Sequence, residues 1–151
     1  MIAVVQRVST ASVSVEGTTV SQIGSGLVAL VGVAHDDTGD DARALGRKIV
    51  GLRVFADDQG LMNRSVAEIE GQVLVVSQFT LLGEVGRGRR PSFVAAAKPE
   101  LAAPLVEAVV AVIAESGVPV STGIFGAHMT VALVNDGPVT MVVRTASGRV
   151  I

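Results

Sequence analysis

The chain has 151 residues, enough for one domain with a substantial core. Apolar residues make up 49% of it and charged residues 17%, which excludes intrinsic disorder, while a net charge of −2 gives no global field for gripping nucleic acid. Cysteine is absent, which excludes disulfides and thiolate metal sites.

The apolar residues are mostly Ala and Val, with four Phe and neither Tyr nor Trp. Such a core is filled by small branched side chains, whose β-branching favours strands. Ile2 to Val8 reads as a strand. Ala11 to Glu16 alternates with a period of two, Gly17 breaks the run, and Thr18 to Ile23 returns as the second arm of a hairpin. Leu27 to Val33 is apolar on both faces, the pattern of a doubly covered central strand. The acids Asp36, Asp37, Asp40 and Asp41 match no calcium loop and suit the positive end of a helix running from about Thr38 to Gly51. Leu52 to Phe55 suits either the end of that helix or another strand, and Asp57 to Gly60 is a turn.

Val73 to Val76 predicts a second buried strand, running directly into Ser77-Gln78-Phe79-Thr80. Gly83 to Arg90 reads as a loop, and Pro91-Ser92-Phe93 as the start of a short helix. Pro99 to Ser116 is the clearest helix, with Pro at its start and Gly117 past its end; Leu101, Leu105, Val109, Val112 and Ile113 form its expected buried face. Val118 to Ile124 is extended or irregular. Met129 to Val134 and Val139 to Arg144 are strands, interrupted by Asn135-Asp136-Gly137-Pro138, and Ser147 to Arg149 reads as a loose tail. The mixed order predicts a single α/β domain spanning 1–151, with one large sheet or two packed sheets, barrel-like in closure. The N-terminal apolar run is too short for a signal peptide, and no stretch approaches the roughly 18 apolar residues of a membrane span, so a cytoplasmic protein without membrane contact is expected.

The chemistry-bearing residues are few. His35 and His128 lack partners at metal-ligand spacing, and neither a phosphate loop nor a dinucleotide fingerprint is present, so no metal or cofactor is expected. Ser77 and His128 suggest a serine triad only weakly, because nothing marks Ser77 as a nucleophile elbow. Ser77 to Thr80 follows a buried strand, where α/β proteins place functional groups; its hydroxyls and amide either hold a polar substrate or merely finish the strand. Gly137-Pro138 interrupts a strand and is either an ordinary turn or a place where backbone comes close to a ligand. Arg87, Arg89 and Arg90 are either a solvated loop or a set of phosphate contacts.

Taken together, Gln6-Arg7-Val8, Ala11-Ser12-Val13, Ser77-Gln78-Phe79-Thr80-Leu81, Arg90-Pro91-Ser92-Phe93 and Asn135-Asp136-Gly137-Pro138-Val139-Thr140 resemble the D-aminoacyl-tRNA deacylase family over nearly the whole chain. The resemblance implies an obligate homodimer that hydrolyses the ester between a D-amino acid and the 3′-terminal adenosine of tRNA. It implies that Ser77, Gln78, Phe79 and Thr80 form the floor of the aminoacyl-adenosine site. It also implies that a Gly137-cis-Pro138 dipeptide reaches into the partner's pocket, where its carbonyls face the substrate amino group and exclude an L side chain. Arg7 is similar to the arginine that holds that dipeptide, Asn135 belongs to the same motif, and Phe125 and Met129 match residues near the adenine. The resemblance further implies that the RNA's own 2′-hydroxyl assists the reaction, leaving Thr80 in a supporting role, and that glycine, lacking a side chain, leaks through the filter.

This chain departs from the family's pattern at His128, where an acidic residue is familiar, and at the arginine-enriched loop. The tail beyond Thr145 looks like an addition without a catalytic role. Three other readings stay open: the sister branch that edits L-alanyl-tRNA, which Phe79 opposes; a non-catalytic RNA-binding scaffold, which the net charge opposes; and a generic serine esterase, which requires Ser77.

Overall fold

A computed structural model describes residues 1–86 and 88–151. In chain order it contains strands β1 (Ile2–Val15), β2 (Thr18–Ile23) and β3 (Gly26–Gly32), helix α1 (Gly39–Gly51), strands β4 (Phe55–Ala56), β5 (Met62–Arg64) and β6 (Gln72–Ser77), a 3-10 turn (Phe79–Leu82), helix α2 (Pro99–Glu115), and strands β7 (Val120–Thr122), β8 (Thr130–Ala146) and β9 (Arg149–Val150). The main sheet has the order β7-β6-β3-β1-β8-β9, with β2 paired to β1; β4 and β5 form a small separate hairpin.

The neighbours β3, β6 and β7 are parallel. Parallel neighbours need crossovers, and the two helices supply them: α1 lies on the chain path from β3 to β6, and α2 on the path from β6 to β7. Both helices cover one face of the sheet. Leu45 and Ile49 of α1, and Leu105, Val109 and Ile113 of α2, pack there with Ala3, Val5, Leu27, Ala29, Val31, Val73 and Val75. On the opposite face a second core gathers Val8, Ala11, Val13, Ile23, Val28, Leu74 and Val76. Long β1 makes this possible. Its first half pairs with β3 and its second half with β2, while register shifts between Gln6 and Thr10 turn the strand. The sheet therefore curls into a half-barrel around the second core. It does not close, because β7 and β9 remain at its ends.

Gly26 marks the tightest approach in this arrangement. A Cβ there would lie 1.9 Å from the Gln72 carbonyl oxygen, which is backbone and has no rotamer to relieve it. Gly26→Ala is expected to part β3 from β6 and destabilise the fold by ~3 kcal/mol, a drop in Tm of about 10 °C on thermal melting.

The predicted elements differ from the structure in five places, the first being that the runs from Ile2 and from Ala11 are one strand, β1. Leu101 is exposed at 39%. The buried stripe of α2 runs instead through Ala102, Leu105, Val106, Val109 and Ile113. Pro91-Ser92-Phe93 is not helical: Ser92 bridges to Glu84 through paired backbone bonds of 2.7 and 3.0 Å, closing the arginine loop at its base. The two C-terminal strands are one strand, β8, with an irregularity at its middle. The tail is not loose: after a turn at Ser147-Gly148, β9 pairs back onto β8.

That turn is also tied to α1. The Asp41 carboxylate accepts the Gly148 amide at 2.8 Å and both the amide and hydroxyl of Thr38 at 2.9 Å, so one side chain caps the helix and anchors the tail. Burial opposes its charge, but the Gly148 and Thr38 hydrogen bonds outweigh burial and hold its pKa below the ordinary value. A lowered folded pKa contributes stability above the unfolded carboxylate range and loses it as pH falls through the folded value. Asp41→Asn is therefore expected to cost about 1–2 kcal/mol near pH 7. In urea unfolding across pH, the gap to the parent protein should close at pH values below about 4.

Candidate active site at the ends of the parallel strands

Parallel strands β3 and β6 end side by side, Val31 being paired with Ser77. Beyond these ends β3 leads toward α1, and β6 runs straight into the 3-10 turn that opens at Phe79. A cavity of about 500 Å³ lies there, bounded by Val31, Val33, Val76, Ser77, Gln78 and Phe79 from the strand ends. Pro99, Ala102 and Val106 of α2 form one side, and Phe125 to Met129 with Val131 form the other. The size suits a small molecule or a terminal nucleotide. Its walls are apolar except for Ser77, Gln78 and His128, and His128 is the one ionisable side chain among the described lining residues.

The floor is held by local bonds. The Gln78 amide donates to the Val31 carbonyl at 2.7 Å, locking the chain onto β3 before it enters the 3-10 turn. The Gln78 side-chain amide donates to the Thr80 hydroxyl, so Thr80 orients Gln78. At the start of that turn the Phe79 and Thr80 amides have no partner within it. Gly32 lies underneath, where a Cβ would meet Leu82 at 2.5 Å, so the turn rests on a bare backbone. No hydrogen bond joins Ser77 to His128 among the described residues, so the pair is not assembled as a triad.

The Phe79 ring is 57% exposed and meets Phe93 edge-to-face, with centroids 5.1 Å apart. Through this contact the arginine loop is attached to the mouth of the cavity. Arg89 and Arg90 are exposed in that loop; Arg87 lies outside the described residues.

Gly137 and Pro138 do not line the cavity of their own chain. They project from the middle of β8, exposed, with a cis peptide bond between them. Their surroundings are braced on both sides. Arg7 donates through Nε to the Asp136 carbonyl at 2.9 Å, pairs with the Asp136 carboxylate at 3.3 Å, and reaches the Val54 carbonyl with Nη1. Asn135 spans the irregularity: its Oδ1 accepts the Val139 amide at 2.9 Å, and its Nδ2 donates to the Thr140 hydroxyl at 2.9 Å. The dipeptide is thus an exposed stretch of backbone held between braced neighbours.

The structure accordingly brings Ser77, Gln78, Phe79, Phe125 and Met129 together at one cavity, and Arg7 and Asn135 together at Gly137-Pro138, as two separate groups on one chain. Sequence reasoning missed the α2 side of the cavity. The signal was present: Pro99, Ala102 and Val106 recur at helical spacing, and their small size leaves the space empty.

A sequence model of the family described as D-Tyr-tRNA(Tyr) deacylase matches residues 4–144. The chain is similar to a D-aminoacyl-tRNA deacylase of Chloroflexus aurantiacus, with 54% identity over 149 residues, covering 99% of this chain and 93% of that protein. It is also similar to one of Opitutus terrae, with 57% identity over 144 residues and 95% and 96% coverage. Among solved structures, one described as c-Myc DNA Unwinding Element Binding Protein is 39% identical with a TM-score of 0.91, covering 97% of this chain and 100% of that one. A second, described as a probable eukaryotic D-amino acid tRNA deacylase, shares the fold at 18% identity, with a TM-score of 0.78 and 93% and 97% coverage. The matched residues take in the cavity floor, the arginine brace and the projecting dipeptide, and the chain belongs to the D-Tyr-tRNA(Tyr) deacylase family.

Proposed function

We propose that this chain is a D-aminoacyl-tRNA deacylase that hydrolyses the ester between a D-amino acid and the 3′-terminal adenosine of tRNA, and that its site is completed by a second copy of the chain. The observation that carries the reading is the separation just described. The cavity offers apolar walls and a polar floor, whereas the braced and exposed Gly137-Pro138 lines no part of it. A partner's dipeptide entering the cavity supplies what each lacks.

An uncovered apolar surface supports the dimer. Val142 is 57% exposed and stands opposite Val4, on the face turned away from the helices, with Leu30 beside Val4 on β3. This strip continues the second core and lies close to Gly137-Pro138 along β8. A second copy laid on it would bury the strip and bring the dipeptides across.

In the assembled site, Phe125 and Met129 border the adenosine, and Ser77 and Gln78 hold the polar atoms at its floor. The Phe79 and Thr80 amides face the oxyanion that forms when water attacks the ester carbonyl. The neighbouring ribose 2′-hydroxyl takes a proton from the attacking water and passes its own to the departing 3′-oxygen as the ester C–O bond breaks, releasing free amino acid and tRNA. The partner's Gly137 and Pro138 carbonyls receive the substrate ammonium, which leaves the D side chain pointing out and drives an L side chain into backbone. Glycine, with no side chain to clash, passes the filter. Arg89 and Arg90 contact tRNA phosphates outside the cavity.

The test is hydrolysis of matched D- and L-aminoacyl-tRNAs bearing the same side chain. Rapid cleavage of the D ester alone is expected. Comparable cleavage of both would remove the chiral reading, and preference for L-alanyl-tRNA would assign the chain to the sister activity. Ser77→Ala separates the esterase reading, which requires loss of hydrolysis of small esters lacking RNA.

A further inference from the structure

A second cavity, of about 220 Å³, adjoins the first and shares Ser77, Val106 and Phe125 with it. It lies between α2 and the end of β7. Ala103, Val106, Glu107 and Val110, at helical spacing, form one side, and Thr122, Gly123 and Phe125 the other. Its volume is below the roughly 300–1,000 Å³ of pockets that enclose drug-sized ligands, so it suits one flat ring. Three features give it a chemistry. Ala103, Val106 and Val110 make an apolar bed. The 42% exposed Phe125 offers ring surface for stacking from the common border. Glu107 supplies a carboxylate, an acceptor with no donor of its own.

Resting on the deacylase reading, we propose that this cavity seats the base of the penultimate nucleotide, and that Glu107 selects cytosine there. A polymeric substrate whose terminal adenosine fills the first cavity has its preceding nucleotide one backbone unit away, and the shared border places the second cavity at that step. A carboxylate is a poor neighbour for phosphate but a good acceptor for the exocyclic amino group of cytosine. Uracil presents a carbonyl oxygen at the same position, which the carboxylate repels. The tRNA terminus carries cytidine before its last adenosine, so the preference matches the substrate.

The test compares kcat/KM for the D-aminoacyl esters of the dinucleotides CpA and UpA, with D-aminoacyl-adenosine and intact D-aminoacyl-tRNA alongside. The parent protein is expected to favour CpA over UpA by about tenfold. Glu107→Gln should bring the ratio near one, because the amide can turn either its oxygen or its amino group to the base. The ratio does not depend on the active fraction of a preparation. A parent ratio near one, or a ratio unchanged in the variant, would overturn the subsite while hydrolysis of D-aminoacyl-tRNA left the deacylase reading standing. Failure to hydrolyse any of the four substrates would instead overturn the deacylase reading, and the subsite with it.

Discussion

Gly137→Ala is expected to lower hydrolysis of D-aminoacyl-tRNA by about a hundredfold, the scale of loss when a positioning group moves by about 1 Å. Gly137 has φ +149°, and a Cβ there would lie 2.5 Å from the Val139 amide nitrogen. That nitrogen is fixed, because it donates to Asn135. The added methyl must therefore displace the dipeptide itself. The displaced carbonyls no longer meet the substrate ammonium in the partner's cavity. The cavity of the same chain keeps all its lining residues. Steady-state rates on D-aminoacyl-tRNA, with thermal melting to confirm folding, measure the effect. Parent-like rates in a folded variant would remove Gly137-Pro138 from the site.

The second large effect comes from the substrate. A terminal adenosine lacking the 2′-hydroxyl is expected to be deacylated about 10²–10⁴ times more slowly, the usual range for a lost acid-base group. Among the described lining residues the one ionisable side chain is His128, and no hydrogen bond connects it to Ser77. In the proposed mechanism the ribose 2′-hydroxyl carries the proton transfer, so its removal is expected to take that step away. Single-turnover hydrolysis of matched ribo- and deoxy-terminated esters reads this directly. Equal rates would return His128 to consideration as a base.

Much of this was legible in the sequence, for identifiable reasons. The doubly apolar Leu27–Val33 and Val73–Val76 had to be central strands, and Ser77 to Thr80 had to fall at a strand end beside a crevice. The acids before α1 were readable as a helix start, and Asp41 serves as one. The curl of the sheet was not readable. It depends on β1 pairing with three neighbours across a register shift, which no local pattern records. The place of Leu101 failed for a related reason: the helical period predicts a stripe, but Leu101 lies outside the one that is buried. The tail was misread because its anchor, Asp41, lies 107 residues away from Gly148 in sequence. At the site, single segments were ambiguous. Arg7 acquires meaning only through its bonds to Asp136 and Val54, both remote from it along the chain.

The central claim is that each functional site combines the cavity of one chain with Gly137-Pro138 of another. Subunit mixing tests it most directly. One variant, Gly137→Ala, keeps its cavity and loses its dipeptide. The other, Ala127→Trp, fills the cavity from a lining loop residue and keeps its dipeptide. Each alone should be nearly inactive on D-aminoacyl-tRNA. Co-expressed and purified as a mixed dimer, they should recover about half the parent activity per dimer, because one of the two sites is then built from two intact halves. A mixed dimer no more active than its parts would contradict the account.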